Sequence, residues 1–192
     1  MNPTLTRHLL PLALLLGASA ALAQPKPAQL VAAGSEIAFV TRQMGVPVEG
    51  KFGKFGAQVT LDPKKPESGS VSLTIETGSA RFGSADVDVE VPKATWLNVA
   101  KFPQASFQSS AIKAAGPGRF EVAGKLSIKG TVREIKVPVQ LTQAGATSTA
   151  TGSFTIKRLE FKVGEDEWAD TSMLANDIQV RFKLALTGMS PL

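Results

Sequence analysis

The stretch IQVRFKLAL, residues 178–186, carries a hydrophobic period of two residues. Every second residue is large and apolar, namely Ile178, Val180, Phe182, Leu184 and Leu186. The residues between them include two cations, Arg181 and Lys183. Because successive side chains of a β-strand point to opposite faces, this spacing predicts a strand with one buried face and one solvated face.

The same period recurs along the chain and predicts about eight strands in total. The other stretches are SEIAFVTRQ (35–43), VPVEGKFGKFGAQVTL (46–61), SGSVSLTIET (68–77), QASFQSSAI (104–112), RFEVAGKLSIK (119–129), REIKVPVQL (133–141) and ATGSFTIKR (150–158). Turn-forming residues separate them and suit hairpins. We predict one all-β antiparallel domain, either an up-and-down barrel or a sandwich. A barrel of eight strands has room for one small ligand, whereas a sandwich fills its own interior.

One segment, SADVDVEVPKATWLNVAKF (84–102), breaks the alternation between the third and fourth strands. Its apolar spacing is mixed, and residues 94–100 follow Pro92 and would suit one or two helical turns. We predict a short helical excursion that covers one end of the sheet. Trp96 and Phe102 are expected to plug that end.

The first residues of the chain have the pattern of a secretory signal peptide. One cation, Arg7, precedes an apolar run over residues 9–16, and small residues at Ala21 and Ala23 follow. This pattern predicts cleavage after Ala23 and export, and we expect the periplasm as the destination. The apolar run is shorter than the roughly 20 residues of a spanning helix, and no later stretch approaches that length, so we predict no transmembrane segment.

The chain divides into four parts. We predict a signal peptide over residues 1–23, a tether over 24–34, the barrel domain over 35–188 and a C-terminal tail over 189–192. The sequence contains no cysteine. The predicted export therefore brings no disulfide bonds, and stability must come from packing and backbone pairing.

Several classes of chemistry are missing from the predicted mature chain. His8 is the one histidine and lies in the predicted signal peptide, and the chain has no cysteine and no tyrosine. Catalysis by Ser-His-Asp or Cys-His groups and a His/Cys metal site are thereby excluded. Lysines and arginines are scattered among the acids at a net charge of +5, which speaks against nucleic-acid binding.

Two acidic clusters remain as candidates for chemistry. The stretch DVDVE (86–90) resembles the start of a calcium loop, but Val91 stands where that loop needs glycine. The stretch GEDEWAD (164–170) offers carboxylates in pairs, as glycoside hydrolysis requires, yet all lie in one short loop. A solvated turn is the favoured interpretation. We predict no enzyme and no cofactor apart from a bound lipid.

Two polar residues interrupt apolar faces. Arg158 is in phase with Phe154 and Ile156, and Gln43 ends the inward series of the first strand. A buried guanidinium is unfavourable unless it is hydrogen-bonded and paired. Arg158 therefore pairs with an internal group at a strand end, or joins Gln43 at a polar mouth to hold a ligand head group.

The motif GKFGKFG (50–56) continues directly into an alternating run, unlike a phosphate-binding loop, which leads into a helix. Its apolar residues change phase near Gly53, which predicts a β-bulge there with Phe52 and Phe55 both pointing inward. The predicted ligand-binding residues are Phe39, Gln43, Phe52, Phe55, Phe107, Phe154, Ile156, Arg158 and Phe182. Plain core packing is the alternative role for these aromatic side chains.

The ordered set of stretches resembles the YceI family of exported, lipocalin-like, polyisoprenoid-binding proteins over about residues 35–187. The matching stretches are SEIAFVTRQMGVPVEGKFGKFGAQVTLDP, ATWLNVAKFPQASFQSS, FEVAGKLSIKGTVREIKVPVQL, SFTIKRLEF and NDIQVRFKLAL. The resemblance implies an extended eight-stranded barrel with a tunnel for a prenyl chain, and binding without catalysis. The family often has histidine at the end of its first strand, where this sequence has Gln43, and its arginine after SFTIK is kept as Arg158.

Three functions follow as hypotheses. The leading one is carriage or sequestration of a long isoprenoid lipid, polyprenyl or quinone-type, in the periplasm. The second is a stress-related barrel with a self-filled interior that acts through a protein partner. The third is a hydrolase that uses the acidic loop at Glu165 and Glu167. A transient membrane or protein partner and a homodimer are further hypotheses.

Overall fold

The computed structural model describes residues 27–192. Its strands are β1 (Ala28–Gln43), β2 (Val46–Phe52), β3 (Phe55–Thr60), β4 (Ser70–Glu76), β5 (Ala80–Arg81), β6 (Gln104–Gly116), β7 (Arg119–Ile128), β8 (Thr131–Ala144), β9 (Thr147–Lys157) and β10 (Asp177–Thr187). The α-helix α1 spans Ala85–Glu90, and short 3-10 turns cover 66–68, 77–79, 158–161 and 166–169. The predicted signal peptide and its cleavage after Ala23 lie outside the described residues.

The strands close into an antiparallel barrel. Neighbours around the ring are β10, β9, β8, β7, β6, β4, β3 and β1, and β1 pairs again with β10. That ring has eight positions: β2 and β3 pair in turn with the two ends of β1 and share one position, and the two-residue β5 pairs with β2. The predicted all-β, eight-stranded antiparallel barrel is therefore confirmed. No helix in residues 27–192 is long and apolar enough to cross a membrane.

The second strand of the barrel is broken rather than bulged. β2 and β3 are separated by Gly53 and Lys54. The Gly53 N–H donates to the carbonyl oxygen of Ser79 at 3.0 Å, and the Lys54 N–H donates to the Ser79 Oγ at 3.0 Å. Because Ser79 takes both donors, the chain leaves the ladder for two residues. The interruption lies where the β-bulge was predicted, at Gly53, but it is a two-residue break between two strands and not a bulge within one strand.

The first strand begins earlier than predicted. β1 starts at Ala28, so residues 28–34 of the predicted tether belong to the barrel. Ala28 pairs with Val59 and Gln29 with Gln58, and the Ala28 side chain is buried. Backbone pairing with β3 and β10 holds this segment even though its sequence does not alternate.

The excursion between β5 and β6 is confirmed, but its helix is displaced. The helix α1 covers residues 85–90 and not 94–100, which form turns. The helix ends before Pro92, because proline has no N–H to donate the next intrahelical hydrogen bond; Val91, just before it, still has helical backbone angles. The acidic stretch at residues 86–90, which resembles the start of a calcium loop in sequence, lies in this helix.

Candidate ligand cavity

The barrel encloses a cavity of about 360 Å³. Every long strand of the ring contributes side chains to its lining, and nearly all of them are aliphatic or aromatic. Binding pockets for small molecules measure about 300–1,000 Å³ and are mostly apolar. The volume is at the lower end of that range, and the interior is not filled by its own side chains.

Polar residues are confined to one end of the cavity. The polar side chains in the lining are Thr41, Gln43, Thr77, Glu90 and Arg158. They lie where β1, β4 and β9 end and where the α1 excursion crosses the barrel. The opposite end is lined by apolar side chains that include those of Val59, Val71 and Leu186. The cavity surface is therefore almost wholly apolar, and its few polar side chains are grouped at one end.

The structure brings eight of the nine sequence-predicted residues to this cavity. They are Phe39, Gln43, Phe52, Phe107, Phe154, Ile156, Arg158 and Phe182. Phe55 is the exception: it is half-buried against the core and borders a separate shallow pocket beside the break in the second strand. Phe52 borders both spaces and stands between that pocket and the cavity. Phe55 shares a face with its strand partner Ile75 and so points inward as predicted, but it packs against the core without lining the cavity.

Three cavity phenylalanines lie against glycines of a neighbouring strand. The pairs are Phe39 with Gly50, Phe107 with Gly124, and Phe182 with Gly152. A Cβ at Gly50 would be 2.4 Å from the Phe39 Cζ, which is far inside van der Waals contact. The phenyl ring therefore occupies the space that a side chain at the glycine position would need. Phe39 also contacts Phe52 and Phe82, each with a centroid distance of 5.1 Å.

Arg158 is 1% exposed, and all five of its N–H groups are used by backbone carbonyls. Its Nε donates to Ala175 at 3.0 Å, and its two terminal nitrogens donate to Val163, Gly164, Trp168 and Leu174 at 2.5 to 3.1 Å. Burial lowers the pKa of Arg158 from its ordinary value. No N–H remains for a ligand head group, and no carboxylate among residues 27–192 pairs with the guanidinium. Arg158 instead holds the loop over residues 163–175 against the barrel.

Lys129 is a second buried cation at this end, which sequence reasoning missed. Its side chain is 6% exposed and pairs with the Glu165 Oε2 at 3.2 Å. The same Nζ donates to the carbonyl oxygens of Thr95, at 3.2 Å, and Lys162. It therefore ties the excursion to the acidic loop. The one sequence signal is its place before Gly130 in the β7–β8 turn, where its φ is +48°.

Two tryptophans line the polar end of the cavity. The rings of Trp96 and Trp168 are 5.2 Å apart between centroids. Trp96 comes from the excursion and Trp168 from the loop that Arg158 holds. The predicted plug by Phe102 is not formed at the cavity, because that ring packs against Gly130 instead. Trp168 carried no signal in the sequence beyond its place in the acidic loop.

The acidic loop is a structural turn. Glu165 is engaged by Lys129, and the Asp170 Oδ1 accepts hydrogen bonds from the backbone and side chain of Ser172. These hydrogen bonds lower the pKa of Asp170 from its ordinary value. Across residues 27–192, no group of three or more His, Cys, Asp or Glu side chains is placed to hold a metal ion.

Residues 29–186 match the family model described as the YceI-like domain. This chain belongs to the YceI-like domain family. The resemblance inferred from the sequence is thereby confirmed. A UPF0312 protein of Yersinia pestis is 35% identical over 96 residues, and one of Azotobacter vinelandii is 31% identical over 96 residues. Each alignment covers 50% of this YceI-like chain and 50% of the curated relative.

Solved structures resemble the YceI-like barrel over most of its length. Burkholderia cenocepacia BcnA is 43% identical with a TM-score of 0.80, over 82% of this chain and 99% of that one. The Campylobacter jejuni YCEI protein is 19% identical with a TM-score of 0.68, over 74% of this chain and 86% of that one. A polyisoprenoid binding domain from Saccharophagus degradans is 15% identical with a TM-score of 0.64, over 84% of this chain and 98% of that one. At these identities the last two show the fold alone.

Proposed function

We propose that this protein binds a long isoprenoid lipid, of polyprenyl or quinone type, inside its barrel. It then carries or sequesters that lipid in the periplasm, after loss of residues 1–23, without catalysing a reaction. The observation that carries the proposal is the cavity, which is about 360 Å³ in volume and almost wholly apolar, with its few polar side chains grouped at one end. Membership of the YceI-like family and the description of the Saccharophagus degradans relative support the ligand class.

Burial of the apolar chain supplies the affinity. Each buried CH₂ group contributes about 0.8 kcal/mol, so one five-carbon prenyl unit contributes up to about 4 kcal/mol. Association and ordering of the chain oppose this gain by roughly 4–15 kcal/mol. A few prenyl units are therefore enough for specific binding, and affinity should rise with chain length until the cavity is full.

Organic extraction of the purified protein followed by mass spectrometry tests the proposal, together with binding of added polyprenols. Ala150→Phe puts a phenyl ring into the cavity from β9 and should abolish lipid recovery. Ser153→Phe adds the same ring on the exposed face of β9 and should leave recovery unchanged. Equal lipid recovery from both variants, or no binding by the wild-type protein, would count against the proposal.

The alternative function needs a self-filled interior, which the open cavity disfavours. A protein partner under stress, a transient membrane contact and a homodimer stay predictions. Native mass spectrometry of the purified protein measures the last of these directly.

A further inference from the structure

Residues 188–192, here called the end segment, follow β10 and cross the apolar end of the barrel. Gly188 has a φ of +82°, which turns the chain out of the strand. The Met189 side chain is half-buried, packs against the core and lines the cavity. The Leu192 N–H donates to the Oε1 of Gln143 in β8 at 3.2 Å. Because β9 lies between β10 and β8, the end segment reaches from one strand past the next.

The last inward-facing row of side chains at this end is covered. Leu186 of β10 and Gln143 of β8 both pair with Ser148 of β9, so the three residues form one row. A row at the open rim of a barrel would be in contact with water. Leu186 and Ser148 are instead 1% exposed each. The end segment starts just after β10 and bonds to Gln143, so it runs over this row and supplies the cover.

The covered end is the one that the tip of a bound lipid would meet. The polar residues of the lining, including Thr41 and Gln43, lie at the opposite end. A lipid alcohol with its hydroxyl group there directs its hydrocarbon tip towards the end segment. Along β10 the lining runs from Ile178 to Leu186, about 27 Å of strand at about 3.4 Å per residue. The space for the chain is therefore finite in length.

We propose that Met189 closes the apolar end of the cavity and sets the longest isoprenoid chain that the barrel accepts. This inference rests on the proposed function and adds selectivity for chain length. A methionine side chain is flexible and fills irregular gaps, so it packs against the tip of the chain. A further prenyl unit then finds no space and adds no affinity. The family model matches residues 29–186, so the end segment lies beyond the match and family membership does not specify this limit.

The test uses a series of isoprenoid alcohols. Geraniol, farnesol, geranylgeraniol and geranylfarnesol each exceed the one before by one prenyl unit, and the much longer solanesol is the last member. Affinity for the wild-type protein should rise along the series and stop rising at one length. Met189→Ala removes most of the side chain, so the first alcohol that brings no gain in the wild type should bind about tenfold more tightly. Each buried CH₂ group changes affinity about fourfold, and the deletion leaves room for about two of them.

Two further variants complete the series. Met189→Trp fills the same place with a larger side chain and should move the limit to a shorter alcohol. Met173→Ala is the matched control, because the Met173 side chain is 45% exposed and does not line the cavity. It should leave the dependence on chain length unchanged.

The wild-type protein also allows a measurement that needs no variant. In a ¹H–¹³C spectrum of the methionine methyl groups, the Met189 signal should shift when the longest alcohol that fits is bound. The exposed side chains of Met44 and Met173 report changes outside the cavity. A Met189 signal that no bound alcohol shifts would overturn the inference, even where a variant fails to fold.

The remaining outcomes separate this inference from the proposed function. The same length limit in the wild type, Met189→Ala and Met189→Trp would overturn the inference and leave the cavity as the binding site. Affinity that rises without a limit up to solanesol would do the same. Equal weakening of every alcohol by both Met189 variants would also overturn it, since Met189 would then support only the fold. Absence of binding of any alcohol by the wild type would overturn the proposed function and the inference together.

Discussion

Replacement of Arg158 by methionine should unfold the protein at a much lower denaturant concentration. The guanidinium is 1% exposed and donates to five backbone carbonyl oxygens, which the methionine leaves without this donor. At about 1 kcal/mol net for each hydrogen bond, the loss is at most about 5 kcal/mol. Removal of a buried charge offsets part of it, so we expect the free energy of unfolding to fall by about 4 kcal/mol.

Urea denaturation followed by tryptophan fluorescence measures this loss. With a urea dependence of about 2 kcal/mol per molar, the midpoint should fall by about 2 M. Arg158→Lys keeps the charge but offers three donors, so about half of the loss should remain. Arg181→Met is the control, because Arg181 is 48% exposed and pairs with Glu49 at 3.2 Å on the surface. Such pairs contribute about 0–1 kcal/mol.

The same variants decide between the two roles considered for Arg158. If the guanidinium holds the 163–175 loop, variants that remain folded lose stability. Their apparent affinity for an added isoprenoid alcohol such as farnesol then falls only in proportion to the fraction of protein that is folded. A variant with wild-type stability but at least tenfold weaker farnesol binding would refute this reasoning. It would restore the head-group role predicted from the sequence.

Three further predictions concern other parts of the barrel. Gly50→Ala puts a methyl group 2.4 Å from the facing phenyl ring and should destabilise the fold by about 1–3 kcal/mol, as measured by urea denaturation. Gly56→Ala in the same motif meets no atom within 4 Å and should not destabilise it; equal effects would contradict the contact. Lys129→Met should lower the free energy of unfolding by about 2 kcal/mol, and a change in melting temperature within error would show that its hydrogen bonds contribute little. Because hydrogen bonds lower the pKa of Asp170, its contribution to stability is present above its ordinary pKa of 3.8 and is lost as the pH falls below that value. Ser172→Ala should raise the pKa of Asp170 in the folded protein, as measured by an NMR titration. An unchanged pKa would show that the Ser172 hydroxyl is not the cause of the shift.

Much of the barrel follows from the two-residue period. Phe39 and Phe182 point inward because the alternation around them is unbroken, and a period of two fixes the face of every residue in a paired strand. The early start of β1 did not follow, since Ala28 is held by pairing with distant strands and not by a local pattern. The absence of Phe55 from the cavity lining did not follow from the pattern either. The chain leaves the ladder at Gly53 because Ser79 takes its N–H, and no periodicity records that contact.

The polar end of the cavity was harder to predict than its walls. The phase of Arg158 indicated that it is buried, but its partners lie in a loop that periodicity does not place. Lys129 looked like an ordinary turn residue, and its acceptors come from two separate segments. Long-range hydrogen bonds, and not strand pattern, determine this end.

A crystal structure of the protein with a bound polyprenol tests the central claim most directly. We predict continuous elongated density inside the barrel, with the chain along the apolar wall past Phe182 and its hydroxyl group at the end where Thr41, Gln43 and Thr77 lie. Density for the polyprenol only on the outer surface, with the interior collapsed or empty, would contradict the account.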